Sequence, residues 1–412
     1  MDILKYNYLK QKHLNGIDRY KYVSVDTSPL SYYITNPLWD KTVEFFPRWI
    51  APNLMTFIGF LLTVVNIILL TIYDYHFYAS TDMFPSKYPP IPRWIWLVCA
   101  VNQFLSYALD SCDGKQARRT KTSSPLGELF DHGLDSWASI VVPLCCYSLF
   151  GRAVSGLAPM RVFFVMWGVL FVFLVAHWEK YITGIFYLPW AYDASQIALS
   201  FVFLVSFFRG YEYWHFTFRL FDLTINPGVL VETAVYVSAF GLTLPVALYH
   251  IYKHYHDSAD NERRLDIYQA LKPLVPVLYL FLASLTWVLL SPNDIITVEP
   301  RLFFFLLGTV YSNIVSKIVI AQMSGTSAKQ SNFLLYPYII TVAAIIMFKW
   351  VTTPYSEILV LKILLLFSFL THLHFGYRIV SQLSSYLGIY CFTITKKPSS
   401  KSNSDFSVLK SK

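Results

Sequence analysis

Asp110-Ser111-Cys112-Asp113-Gly114-Lys115-Gln116-Ala117-Arg118, and eight residues later Gly127-Glu128-Leu129-Phe130-Asp131-His132-Gly133-Leu134-Asp135, set four carboxylates beside or inside strongly apolar sequence. Charge at membrane depth is costly, so an acid there points to a functional site by default. Asp110 and Asp113 are three apart, Asp131 and Asp135 four apart. On helices each pair shares a face. If the two helices meet, all four carboxylates converge, and their repulsion demands cations. Hard oxygen donors of this kind suit Mg²⁺ or Mn²⁺ rather than zinc. A pair of such ions about 4 Å apart clamps the oxygens of a phosphoryl transfer.

The surrounding chain is membrane protein throughout. Of 412 residues, 55% are hydrophobic and 14% charged, against about 25% charged in soluble proteins. Long apolar runs predict an all-α, polytopic bundle of about ten spans. They start at Pro52 and about Trp94, with the third helix opening at Ser124-Pro125, a serine cap before a proline suited to a first turn. The others are Met160–Val175, Ser195–Phe208, Val229–Ile251, Ile267–Leu290, Leu302–Ala321, Phe333–Trp350 and Glu357–Val380. Before them, Trp39, Val43, Phe46 and Ile50 recur at helical spacing and predict an amphipathic helix over Pro37–Ile50, lying on the membrane surface.

The expected organisation is a polar arm over 1–36, a membrane-embedded unit over 37–381, and a disordered tail over 382–412. No cleavable signal peptide is expected, since residues 1–36 lack an apolar stretch before a small-residue site. An even span number puts both termini on one side. Their lysines point them to the cytosol, and the Asp110–Asp135 turn, following the second span, shares that side. A net charge of +8 suits contact with anionic lipid and gives no reason to invoke nucleic acid. The five cysteines fit no metal framework and are expected as free thiols. His250, His254 and His256 contain a four-residue spacing, but no acid or cysteine completes a site, and a solvated role is expected.

The pattern Asp-x-x-Asp-Gly-x-x-Ala-Arg, eight residues, Gly-x-x-x-Asp-x-x-x-Asp resembles the signature of the CDP-alcohol phosphotransferases. Its eight fixed positions are met by Asp110, Asp113, Gly114, Ala117, Arg118, Gly127, Asp131 and Asp135. Ser123-Ser124-Pro125-Leu126-Gly127-Glu128-Leu129-Phe130-Asp131-His132-Gly133 resembles the choline/ethanolamine branch. Ala51-Pro52-Asn53-Leu54, His177-Trp178-Glu179-Lys180-Tyr181 and Leu188-Pro189-Trp190 look like its ethanolamine-specific members. The likeness runs from about Tyr20 to Tyr390. The vertebrate members' selenocysteine is missing from the tail around Asn403-Ser404-Asp405-Phe406.

The site residues then take roles. Asp110, Asp113, Asp131 and Asp135 are expected metal ligands; the structural alternative pairs them with Arg118, Arg119 and Lys121. Gly114, Gly127 and Ala117 share faces with the acids and would let a cytidine or diphosphate approach the backbone, though glycine also serves helix crossings. Arg118 would offer its planar fork to the diphosphate. Asn53 would bond the nucleotide or cap its helix. His132 titrates in the range a base needs, and the resemblance implies that role.

Some relatives carry a glutamate in the fifth span that would support this base, and Gln196 falls there. Glu128 or Glu179 is an alternative support. The resemblance implies transfer of phosphoethanolamine from CDP-ethanolamine to diacylglycerol or alkyl-acylglycerol, two Mg²⁺ or Mn²⁺ ions, endoplasmic reticulum or Golgi membrane, and a homodimer. CDP-choline is the alternative donor. A divalent-cation channel or transporter is the alternative class, one that leaves Gly114, Ala117, Arg118 and Gly127 unexplained. A catalytically dead regulator is disfavoured, because no motif position is degraded.

Overall fold

The computed structural model describes residues 6–81, 86–152, 156–221, 223–257, 264–348 and 353–394. It is a helical bundle carrying only two-residue and three-residue strands. A short helix α1 (Gln11–Ile17), strand β1 (Ser24–Val25) and helix α2 (Asn36–Thr42) precede the bundle. The long helices follow: α3 (Pro52–Tyr73), α4 (Arg93–Thr120), α5 (Pro125–Phe150) and α6 (Pro159–Thr183). After strand β2 (Phe186–Tyr187) come α7 (Ala191–Arg209), the hairpin β3 (Phe218–Leu220) and β4 (Leu223–Ile225), α8 (Pro227–Tyr236) and α9 (Leu244–Asp257). The rest is α10 (Ile267–Leu271), α11 (Leu274–Leu290), α12 (Ile295–Val298), α13 (Pro300–Met323), α14 (Leu335–Phe348) and α15 (Pro354–Tyr386).

Among the described residues, seven helices are long and apolar enough to cross a membrane: α3, α5, α6, α7, the run Pro227–His256, α13 and α15. Two shorter apolar helices, α11 and α14, and the charged 28-residue α4 complete the correspondence with the ten expected spans. Three boundaries differ from expectation. The seventh span is broken at Lys272-Pro273, where proline cannot donate to the turn before it. The fourth runs on to Thr183, which puts His177, Glu179 and Lys180 on helix. The last extends to Tyr386, five residues past the expected end of the embedded unit. Disorder of the tail beyond residue 394 lies outside the described residues.

Helix α13 is the axis. Of its spanning window 89% is buried, against 6% for Pro227–His256, so α13 is wrapped by protein while the α8–α9 run is exposed at the periphery. It packs on α5, α15 and α6, and α3 packs on α4 and α5. At the α5–α13 crossing, a Cβ on Gly308 would lie 2.5 Å from Ile140 Cγ1. Overpacking a close crossing costs about 1–3 kcal/mol. Gly308→Ala is therefore expected to lower the thermal midpoint of purified protein in detergent by several degrees. An unchanged midpoint would show that the two helices slide apart freely.

The amphipathic segment is a helical run from Ser31 to Phe45, ending before Pro47 rather than reaching Ile50. Its apolar stripe is present but faces protein: Trp39 and Val43 pack with Met55, Tyr107, Ala108 and Cys112 of α3 and α4. Phe45 and Trp49 remain exposed, at 87% and 74%, and suit the lipid interface. The polar arm is not free either. Tyr8 and Leu9 backbone N–H groups donate to Gln382 Oε1 at 3.0 and 3.2 Å, and Tyr386 bonds Asp18 at 2.5 Å. The arm and the last helix thus meet at one end of the bundle.

Candidate active site

The acids sit where two caps place them. Helix α4 runs unbroken past Asp110 and Asp113 to Thr120 and ends at Lys121 in the left-handed region. The sequence predicts a basic turn over Lys115–Ser124; most of it is helix, with only Lys121–Ser124 linking α4 to α5. Ser124 Oγ accepts from Gly127 N at 3.2 Å, and Pro125 opens the first turn, as the spacing predicts. This tight link folds the start of α5 back beside the end of α4.

Asp110, Asp113 and Asp131 each offer an oxygen, all three within 4.8 Å of one another. That separation and that oxygen-only donor set fit a hard divalent cation. Asp131 Oδ1 is buried with no hydrogen-bond partner among the described residues, an acceptor that a cation would satisfy. Asp135, expected as an equal fourth, is not in this group. It lies one turn further along α5. Neutral donors brace the acids. Tyr192 of α7 donates to Asp110, and Thr56 of α3 donates to Asp113. Neither was expected from sequence, since each comes from a segment distant from the motif.

The basic residues divide cleanly. Lys115 pairs with Asp40 at 2.7 Å, and Arg119 NH1 donates to the Val43 and Phe46 carbonyls at 2.8 and 2.7 Å. Both tie down the amphipathic segment. Arg118 is exposed, beside exposed Gly114, and has no hydrogen-bond or ion-pair partner among the described residues. Its charge bears on Asp113 and is also open to an anionic ligand. On the opposite wall, a Cβ on Gly127 would meet Asn53 Oδ1 at 3.2 Å. The chain after α15 crosses here: Asn53 Nδ2 lies 3.6 Å from Cys391 Sγ, and Phe392 packs on Phe57 and Phe130. All five cysteines are free.

His132 is buried next to the cluster, its Nε2 3.9 Å from Asp131 Oδ2. Its ring packs on His177 (4.8 Å) and Phe186 (4.9 Å), and its Nδ1 has no partner among the described residues. The expected supports do not reach it. Gln196 accepts instead from Gln103 at 2.6 Å, and Glu128 is held by Lys180 of α6 and by the Tyr20 hydroxyl at 2.8 Å. Glu179 binds His250 Nδ1 at 2.5 Å. His250 also stacks on Tyr187 at 3.9 Å, so it is not the solvated residue that its charged neighbourhood suggested.

Helix α5 is oriented from behind. Ser136 bonds Ser312 at 2.5 Å, Ser312 bonds His372 Nε2 at 3.1 Å, and Asn313 donates to His372 Nδ1 at 3.1 Å. This network ties the turn after His132 to α13 and α15 and restrains rotation of the acidic face.

The CDP-alcohol phosphatidyltransferase family profile matches residues 49–221, which contain both acidic helix ends. Ethanolaminephosphotransferase 1 of Mus musculus is 41% identical over 395 residues, 96% of each chain. Choline/ethanolaminephosphotransferase 1 of Arabidopsis thaliana is 29% identical, over 95% of this chain and 99% of its own. Cholinephosphotransferase 1 of Mus musculus is 28% identical, over 77% of this chain and 75% of its own. With three acids of the motif gathered at one end of a helical bundle, and likeness extending across nearly the whole length, this chain belongs to the CDP-alcohol phosphatidyltransferase family.

Proposed function

We propose that the protein transfers phosphoethanolamine from CDP-ethanolamine to the free hydroxyl of diacylglycerol or an alkyl-acylglycerol, giving phosphatidylethanolamine and CMP. The observation that carries this reading is the juxtaposition of three convergent acids with one available arginine, Arg118, and one buried histidine, His132. The choice of donor rests on the 41% identity to an ethanolaminephosphotransferase, against 28–29% to choline-using relatives.

Two Mg²⁺ or Mn²⁺ ions, held by Asp110, Asp113 and Asp131 with Asp135 behind them, supply neutralising charge to the diphosphate when bound. Arg118 offers its fork to the same group. Asn53 and the bare backbone at Gly114, Ala117 and Gly127 border the space for the nucleotide. His132 takes the acceptor's hydroxyl proton at Nε2, the nitrogen facing Asp131. The freed oxygen attacks the phosphorus bearing ethanolamine, and the bond from that phosphorus to CMP breaks, its electron pair leaving with CMP.

In this reading the site and both termini face the cytosol. The protein resides as a homodimer in endoplasmic reticulum or Golgi membrane. The contact between the arm and the end of α15 supports placing both termini on one side.

A donor-by-acceptor matrix with and without Mn²⁺ tests it. CMP release should require the metal and be at least about 10-fold faster with CDP-ethanolamine than with CDP-choline. Faster use of CDP-choline rejects the donor choice. Metal flux through liposomes without CMP release favours the channel reading.

A further inference from the structure

We infer that Cys391, in the chain after α15, is a positioning residue for the nucleotide: its thiol accepts from the Asn53 amide and so aims Asn53 Oδ1 at the CDP-alcohol. The inference rests on the phosphotransfer reading above and adds to it a residue far outside the acidic motif.

Asn53 is tied to the acids through its helix. It stands one turn ahead of Thr56 on α3, and Thr56 donates to Asp113. Gly127 likewise stands one turn ahead of Asp131 on α5. The two residues meet across the seam between the helices: a Cβ on Gly127 would lie 3.2 Å from Asn53 Oδ1. In the phosphotransfer reading the diphosphate sits at the acids, and Asn53 and Gly127 border the nucleoside one turn outward.

The Asn53 side chain is not spent on its own helix. Ala51 precedes the first turn of α3, and no side chain caps that turn. The capping role that the sequence left open is therefore not taken up. Asn53 Nδ2 donates instead to Cys391 Sγ, 3.6 Å away, and the side chain makes no other hydrogen bond among the described residues. With Nδ2 held by sulfur, Oδ1 is left facing Gly127. It is an acceptor there, matched to an N–H or O–H of the nucleoside.

Cys391 reaches this place on a segment fixed independently of the thiol. Gly388 reverses the chain after α15 in the left-handed region, at φ 66°. Ile389 N donates to Ser384 O at 3.1 Å, and Ser384 Oγ donates to Ile389 O at 2.5 Å. Phe392 then packs on Phe57 and Phe130, with ring centres 5.4 and 5.6 Å away. Phe57 is one turn after Asn53 and Phe130 one turn after Gly127, so this ring clamps the same α3–α5 seam. Burial raises the thiol's pKa. Cys391 thus stays a neutral acceptor and adds no negative charge beside the diphosphate.

The test uses full-length protein in nanodiscs with CDP-ethanolamine, diacylglycerol and Mn²⁺. Cys391→Val keeps bulk without an acceptor, and Cys391→Ser keeps an acceptor. For Cys391→Val we expect KM for CDP-ethanolamine to rise about 3- to 10-fold, with kcat and KM for diacylglycerol within about 2-fold of wild type. Cys391→Ser should hold KM for CDP-ethanolamine within about 2-fold of wild type. In an Asn53→Ala background, which itself raises that KM, Cys391→Val should add less than about 2-fold, because the thiol acts through the amide. A packing role would instead impair serine more than valine. Valine with wild-type KM, serine as impaired as valine, or full additivity with Asn53→Ala each overturns the proposal. Wild-type protein that releases no CMP from any CDP-alcohol rejects the phosphotransfer reading itself, whereas an active wild type with an unchanged Cys391→Val rejects Cys391 alone.

Discussion

Asp131→Asn is expected to reduce CMP release by about three orders of magnitude, because it removes charge at the point where three carboxylates meet. Asp131 is the one member of the group that α5 contributes; Asp110 and Asp113 both come from α4. Its loss leaves a half-site on a single helix. A second readout separates this from simple damage. Three acids within 4.8 Å repel one another when no cation is present. In chelator, Asp131→Asn should therefore be at least as stable as wild type. On addition of Mn²⁺ wild type should gain thermal stability, as any ligand of the native state confers, and the variant should gain little. Equal Mn²⁺ stabilisation of both proteins, with turnover retained, would exclude Asp131 as a ligand.

The next largest effect is expected at His132. Its Nε2 faces Asp131, and its Nδ1 is buried without a partner among the described residues. General-base loss is worth about 10²- to 10⁴-fold, and His132→Ala should fall in that range while CDP-ethanolamine affinity stays within about 3-fold. The ring is packed against His177 and Phe186, so alanine also opens a cavity. His132→Gln keeps most of the volume and should be as inactive as alanine with a smaller fall in thermal midpoint. Turnover near wild type in the glutamine variant would move the proton-accepting role to another group.

How much of this was legible beforehand can be read from particular residues. Ser124-Pro125 announced the start of α5, because capping is local chemistry and depends on the next three residues only. The two acid pairs announced their helices' inward faces for the same reason. Arg118 could be singled out from the motif, but not from its equally basic neighbours Lys115 and Arg119. Only their partners, Asp40 and the Val43 and Phe46 carbonyls, reveal that those two are already used. Glu128 and Gln196 were expected near His132, yet each is engaged elsewhere. Glu179 and His250, in helices far apart in sequence, found one another.

The acidic spacing, the apolar runs and the cap between α4 and α5 were enough, without coordinates, to determine a polytopic helical bundle with a cluster of carboxylates at one end. Local periodicity and the cost of charge in lipid leave few other outcomes. Tertiary structure alone decided that Thr56 and Tyr192 brace Asp113 and Asp110. It also decided that the arm carries Tyr20 to Glu128 and lays Tyr22 beside His132. Those contacts join segments separated by 57 to 110 positions in the chain. Their energies exist only once the helices are packed, so no pattern within one segment encodes them.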